Sequence, residues 1–109
     1  LNNWYPGELL TADPRYTVKS VDLLAARART AFFEYLPIRE RASAPGRIYR
    51  KISYGPQLDL FFIDMRSHRG PNAANREGGE GDPSLLGKPQ LQWLKRSLKA
   101  STATWKIIC

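Results

Sequence analysis

The sequence predicts an α/β fold. Two short apolar runs, LDLFFIDM at 58–65 and WKIIC at 105–109, flank a stretch with helical periodicity at 89–99. In the first run Leu60, Phe61, Phe62 and Ile63 are consecutive apolar residues. Both faces of an extended segment are then apolar, the mark of a strand covered on both sides. Strand, helix and strand in this order form a crossover unit, whose two strands run parallel. Both strands then end on one sheet edge, where open α/β sheets bind their ligands.

The elements follow in order. Residues 1–19 carry Trp4, Tyr5, Pro6 and Gly7 without a period and read as a partly buried loop. Ser20 is a helix N-cap, with Asp22 in the electropositive first turn. Val21, Leu24, Ala25, Ala28, Phe32, Tyr35 and Leu36 then mark one apolar helix face. Pro37 stops that helix near Tyr35, and 36–45 is a linker. Residues 46–54 read as a strand with Ile48, Ile52 and Tyr54 on one face, and Gly55-Pro56 as a turn into the next strand. Residues 66–87 are rich in Gly and Pro, so 70–84 is expected to be mobile or held by turns. Pro89 suits a first helical turn, and Leu91, Leu94 and Leu98 form the apolar stripe that packs on the sheet. Trp105 opens the last strand.

Composition narrows the function. A length of 109 residues bounds the chain to one domain, and 42% apolar with 25% charged residues is ordinary globular usage. No run of 18 apolar residues could span a membrane, and the opening LNNWYPGELL has no signal-peptide pattern. Cys109 is the single cysteine, so no internal disulfide and no zinc-finger module is possible; buried in its strand it is expected to be inert. Seventeen basic against ten acidic residues give +7, which favours anionic partners. The charge is spread over both halves, which counts against a specific nucleic-acid module, and Trp4, Tyr5, Trp93 and Trp105 sit where core residues are expected. The chain stops inside an apolar strand, so 1–109 is expected to be an internal piece of one larger α/β domain. A short protein completed by self-association through its open sheet edge is the alternative.

Four segments carry a resemblance. NNWYPG at 2–7, EYLPIR at 34–39, LDLFFIDMRSHRGPN at 58–72 and LLGKPQLQWLKRSLKASTATWKII at 85–108 occur in the order and spacing of alkaline phosphatase D-type enzymes. The chain resembles that family over most of its length. The strand-Asp, the Gly-then-Gln-x-x-Trp-Leu helix and the following strand are also similar to the wider calcineurin-like metallophosphoesterases. The resemblance implies a layered α/β sandwich and a secreted or periplasmic enzyme. It also implies hydrolysis of phosphate mono- or diesters with a multinuclear calcium and iron centre. The family's Asp-Asp-His-Glu stretch, expected just before NNW, and its other Asp and His ligands have no counterpart in this chain. Asn3 alone matches a metal ligand. The chain by itself is expected to hold no metal stably and to be inactive.

The candidate residues gather after the 58–65 strand. Asn3 reads as an oxygen ligand to a hard cation through the resemblance, or as a turn former beside Trp4 and Pro6. Asp64 reads as a carboxylate that orients metal ligands at the active edge, or as a strand-end cap for backbone N–H groups. Arg66 and Arg69 read as a bidentate phosphate clamp, or as solvated loop residues paired with Asp64 or Glu77. His68 is the lone histidine, stands where the family more often has Tyr, and receives no catalytic role. Asp59 reads as a turn or edge residue.

Overall fold

The computed structural model describes residues 1–72 and 84–109. Its elements are α1 (Val21–Tyr35), β1 (Arg50–Tyr54), β2 (Leu58–Phe62), α2 (Gly87–Ala100) and β3 (Trp105–Ile108). They form one three-stranded sheet in the order β1-β2-β3. β1 pairs antiparallel with β2 through a turn at Gly55, whose φ of 65° is a left-handed conformation that suits glycine. β3 runs parallel to β2, with Leu58 opposite Trp105 and Phe61 opposite Ile108. The pairing continues past both strands: Cys109 N–H donates to Phe61 O and Ile63 N–H to Cys109 O. The α/β class and the parallel crossover thus agree with the sequence reading.

α1 keeps its expected limits. The Ser20 side chain accepts from Leu23 N–H at the start, and the run ends at Tyr35, two residues before Pro37. The apolar stripe is less buried than expected: only Val21 is fully enclosed, and Tyr35 and Leu36 are exposed. The strand expected over 46–54 shortens to Arg50–Tyr54, because Gly46 adopts φ 69° and breaks extension. Tyr49, not Ile52 or Tyr54, is the buried member of that stretch.

Residues directly opposite each other share a face. One face carries Ser53, Asp59 and Lys106 in a row, beside Lys51, Phe61 and Ile108. α2 covers it: Leu94 is buried, and Ser101 at the helix C-cap donates to Asp59. Phe61, at 0% exposure, is the anchor of this core. Burying a Phe side chain is worth about 2–3 kcal/mol. The opposite face carries Ile52, Leu60 and Ile107, with Tyr54, Leu58 and Trp105. α1 borders it at one end only, leaving a cleft of about 850 Å³ among Phe32, Ile38, Ile52, Phe62 and Cys109. Trp105 is therefore 67% exposed, against the core position expected for it, and Cys109 is exposed instead of buried. Both belong to the face or edge that no described element covers.

Two further expectations change. α2 begins at Gly87, and Pro89, its third residue, stands in the first turn as expected. Leu91 faces outward at 40% exposure, while Gln90, four before Leu94, is fully enclosed. Asp59 is neither a turn nor an edge residue: it is buried in the middle strand. Ser53 Oγ donates to its Oδ1 at 2.6 Å, and Lys51 Nζ stands 2.7 Å from Oδ2. These partners, Lys51 foremost and then Ser101 and Ser53, hold the Asp59 carboxyl down at about 2. The mobility expected for 70–84 falls mostly on residues 73–83, outside the described residues.

Candidate functional site

The site is built where β2 ends. An apolar strand must hand over to a loop there, and the loop's backbone groups need partners. Asp64, buried at that point, supplies one: its Oδ1 accepts from Arg66 N–H at 3.0 Å and Ser67 N–H at 2.9 Å. This is the backbone-capping arrangement, an Asx-type turn. It wraps 64–67 tightly and sends the Arg66 side chain off in a defined direction.

That direction is toward the N-terminal segment. Arg66 Nη2 donates to Asn3 Oδ1 at 3.2 Å, across 63 residues of sequence. Asn72 completes the link: its Nδ2 donates to Asn3 O at 2.8 Å, and its Oδ1 accepts from Arg69 Nη2 at 2.7 Å. Asn3 itself has φ 53°, a left-handed conformation that Asn tolerates better than most residues. Three of the four sequence candidates, Asn3, Arg66 and Arg69, are thus joined into one network, and Asp64 shapes the loop beneath them. Among the described residues neither arginine has an ion-pair partner, and Arg66 Nη1 and Arg69 Nε are buried with no hydrogen-bond partner. Glu77 lies outside the described residues, so the pairing expected with it has no structural account.

Two features beneath the loop were not singled out as site residues. Gln90 Oε1 accepts from Asp64 N–H at 2.7 Å, and its Nε2 donates to Asp64 O at 2.8 Å and to Leu86 O at 2.9 Å. Gly87 stands with φ 69°, and a Cβ there would come within 2.8 Å of His68 O. The Gly-then-Gln spacing at the head of α2 was the available signal. A polar residue on the buried side of a Leu stripe is the feature that distinguishes it. His68 has no site partner; its ring packs edge-on against Tyr49 at 5.4 Å, and Tyr49 in turn meets Trp93 at 4.9 Å. Arg29 reaches across from α1 to Ser67 Oγ at 3.3 Å.

A second group of cations borders the same sheet edge, since Arg50 pairs with Phe62 at the end of β2. Arg39, Arg41, Arg47 and Arg50 line one small cleft. Burial first, and then Arg41 and Arg47, lower the proton affinity of Arg50. Its guanidinium is held by the carbonyls of Ile48, Arg39 and Arg47.

The residues present do not by themselves fit a metal centre. Among the described residues no group of three or more His, Cys, Asp or Glu could hold one. Asn3 offers a single neutral oxygen, already accepting from a guanidinium. A hard cation such as calcium takes about six to eight oxygens. The arrangement instead suits an oxyanion: two guanidiniums with unspent N–H groups, oriented by amides that carry no charge.

Comparison with known proteins shows the family. A family model described as PhoD-like phosphatase matches residues 1–109. Alkaline phosphatase D of Bacillus subtilis (strain 168) is 31% identical over 102 residues, covering 84% of this chain and 18% of that protein. A solved structure of PhoD superimposes with a TM-score of 0.58 at 31% identity, over 76% of this chain and 18% of that one. The described α/β unit therefore matches part of a PhoD structure, and the chain spans about a fifth of the relatives' length.

Proposed function

The chain belongs to the PhoD-like phosphatase family, and we propose that it contributes a phosphate-binding loop to hydrolysis of phosphate mono- or diesters within a larger catalytic domain. Arg66 and Arg69 are the phosphate ligands in this reading. Asn3 and Asn72 orient them, and Asp64 fixes the turn that presents them. The observation that carries it is the pair of buried guanidinium N–H groups, on Arg66 Nη1 and Arg69 Nε, that find no acceptor among the described residues. Leaving such a charged donor unpaired costs free energy, and a phosphate oxygen removes that cost. Positive charge at this place also neutralises charge that develops on the phosphoryl oxygens during transfer.

The calcium and iron implied by the resemblance would take Asn3 as one oxygen donor at most, and the described residues hold no set that completes their site. A secreted or periplasmic setting belongs to the same reading. The partners in this reading are a phosphate-ester substrate and whatever covers the open sheet face: further elements of the same domain, or a second copy. No helix among the described residues is long and apolar enough to cross a membrane.

The test is Arg66→Ala in the protein at its natural length, with p-nitrophenyl phosphate and its bis-ester as substrates. Turnover at low substrate should fall about ten- to hundredfold, the range for losing a charge-assisted hydrogen bond, while circular dichroism stays unchanged. An unchanged kcat/KM would return Arg66 to a purely structural role. The 109-residue chain alone should show no turnover with calcium and iron supplied. Metal-dependent turnover that survives purification and is lost in Asn3→Ala would overturn that expectation.

A further inference from the structure

We propose that Gln90 is a positioning residue for the phosphate-binding loop, setting where Arg66 stands by clamping both backbone groups of Asp64. The inference rests on the reading of Arg66 as a phosphate ligand. Gln90 has 0% exposure, although it lies on a helix whose apolar stripe would accept Leu or Met at that place. A buried carboxamide is costly unless its acceptor and donors are all used. Here its oxygen accepts from Asp64 N–H, and its nitrogen donates to Asp64 O and to Leu86 O. The side chain acts as one more rung of sheet beyond Ile63, supplied by a helix.

The consequence passes along a short chain of bonds. Fixing both peptide groups of Asp64 fixes its Cα and the start of its side chain. Asp64 Oδ1 then receives Arg66 and Ser67 N–H, which sets the direction in which Arg66 leaves the turn. Arg66 meets Asn3 at the far end. Gly87 presses the same mould from one side, because its bare Cα lets the helix approach His68 O to a distance no Cβ allows. The first turn of α2 is therefore the surface against which the loop 64–69 is cast. Leu at position 90 would keep the packing and lose the register of the loop.

The experiment uses the protein at its natural length, p-nitrophenyl phosphate as substrate and inorganic phosphate as competitive inhibitor. Gln90→Met keeps volume and removes all three hydrogen bonds. It should raise KM and the phosphate inhibition constant about tenfold or more, with kcat changing less. In an Arg66→Ala background the same change should add less than about twofold, since coupled residues are not additive. A merely structural loss would multiply in both backgrounds. Gln90→Glu supplies a second readout. Its buried carboxyl should titrate above the usual carboxylate range, and the neutral acid restores one donor beside the acceptor. Its activity relative to the unsubstituted protein should therefore rise as pH falls. An unchanged KM in Gln90→Met overturns the proposal, as do equal losses with and without Arg66. So does failure of both variants to fold, which would make Gln90 a residue of stability alone. If Arg66→Ala itself leaves KM unchanged, the phosphate reading is what has failed; if only the Gln90 variants do, this inference alone has.

Discussion

The two ends of β2 each bury an aspartate, and the two carboxylates do different work. Asp59, near the start, is met by side chains: Lys51, Ser53 and Ser101. They come from β1 and from the end of α2, so the carboxylate staples three elements together. Asp64, just past the end, is met by backbone: two N–H groups on its oxygen, and Gln90 on its own peptide. Its product is the shape of a loop. The difference teaches that burial of a carboxylate near a sheet edge is not itself a functional sign. What matters is whether its partners are spent on holding elements or on aiming a side chain that still has free donors. Among the described residues the Asp64 end leads to such donors, on Arg66 and Arg69 and, through Ser67, on Arg29.

Four substitutions sharpen or break this contrast. The largest effect is expected at the middle of the strand, where both ends are anchored. Phe61→Ala should lower stability by about 3–5 kcal/mol, read from the denaturant midpoint, because Phe61 has no exposure and its cavity cannot fill from solvent. A loss below about 1 kcal/mol would mean that the sheet is not the core. Asp64→Ala comes next. Turnover of p-nitrophenyl phosphate should fall about as far as in Arg66→Ala, with a smaller drop in thermal midpoint than Asp59→Ala produces. The reverse order would exchange the roles assigned to the two ends.

The third concerns pH. Asp59 is held at about 2, below the usual carboxylate value near 4. The folded state thus binds fewer protons than the unfolded state in that window. Its contribution is complete above about pH 4 and is lost as pH falls toward about 2. Lys51→Met removes the largest cause and should flatten the acid limb of a stability–pH profile. A profile unchanged by Lys51→Met would assign acid loss to other groups. The smallest effect is expected at the open face. Trp105→Lys should leave the thermal midpoint within about a degree or two, since the side chain is mostly exposed and contributes little burial. If the protein self-associates through this face, light scattering should show the assembly weakened by the same change. Unchanged assembly would place the contact elsewhere.

Much of this was legible in the residues. The α/β class followed from double-sided apolarity in β2, and the parallel crossover from a helix between two such strands. The limits of α1 followed from Ser20 and Pro37, because a cap and a stop act within one turn. Arg66 and Arg69 were placed at the ligand edge by topology alone, since a loop leaving the C-terminal end of a parallel strand has nowhere else to begin.

What the sequence could not determine by itself was which partners a polar residue takes. Asp59 and Asp64 both stand in the run LDLFFID, and the register against β1 and the position of α2 decide that the first is buried between elements and the second clamped by Gln90. Gln90 belongs in sequence only to the Gly-then-Gln pattern at the head of α2, and the rotation of the helix is what turns position 90 toward the sheet. Trp105 and Cys109 read as core because the strand is apolar, yet an apolar strand is buried only if something covers it. Asn3, Arg66, Asn72 and Arg69 form one network across up to 69 residues of chain. The physical reason is range. Caps, turns and periodicity are settled by neighbours within a few residues, so they are written locally. Hydrogen-bond partners of buried polar groups are settled by where distant segments meet, and that is a property of the tertiary structure alone.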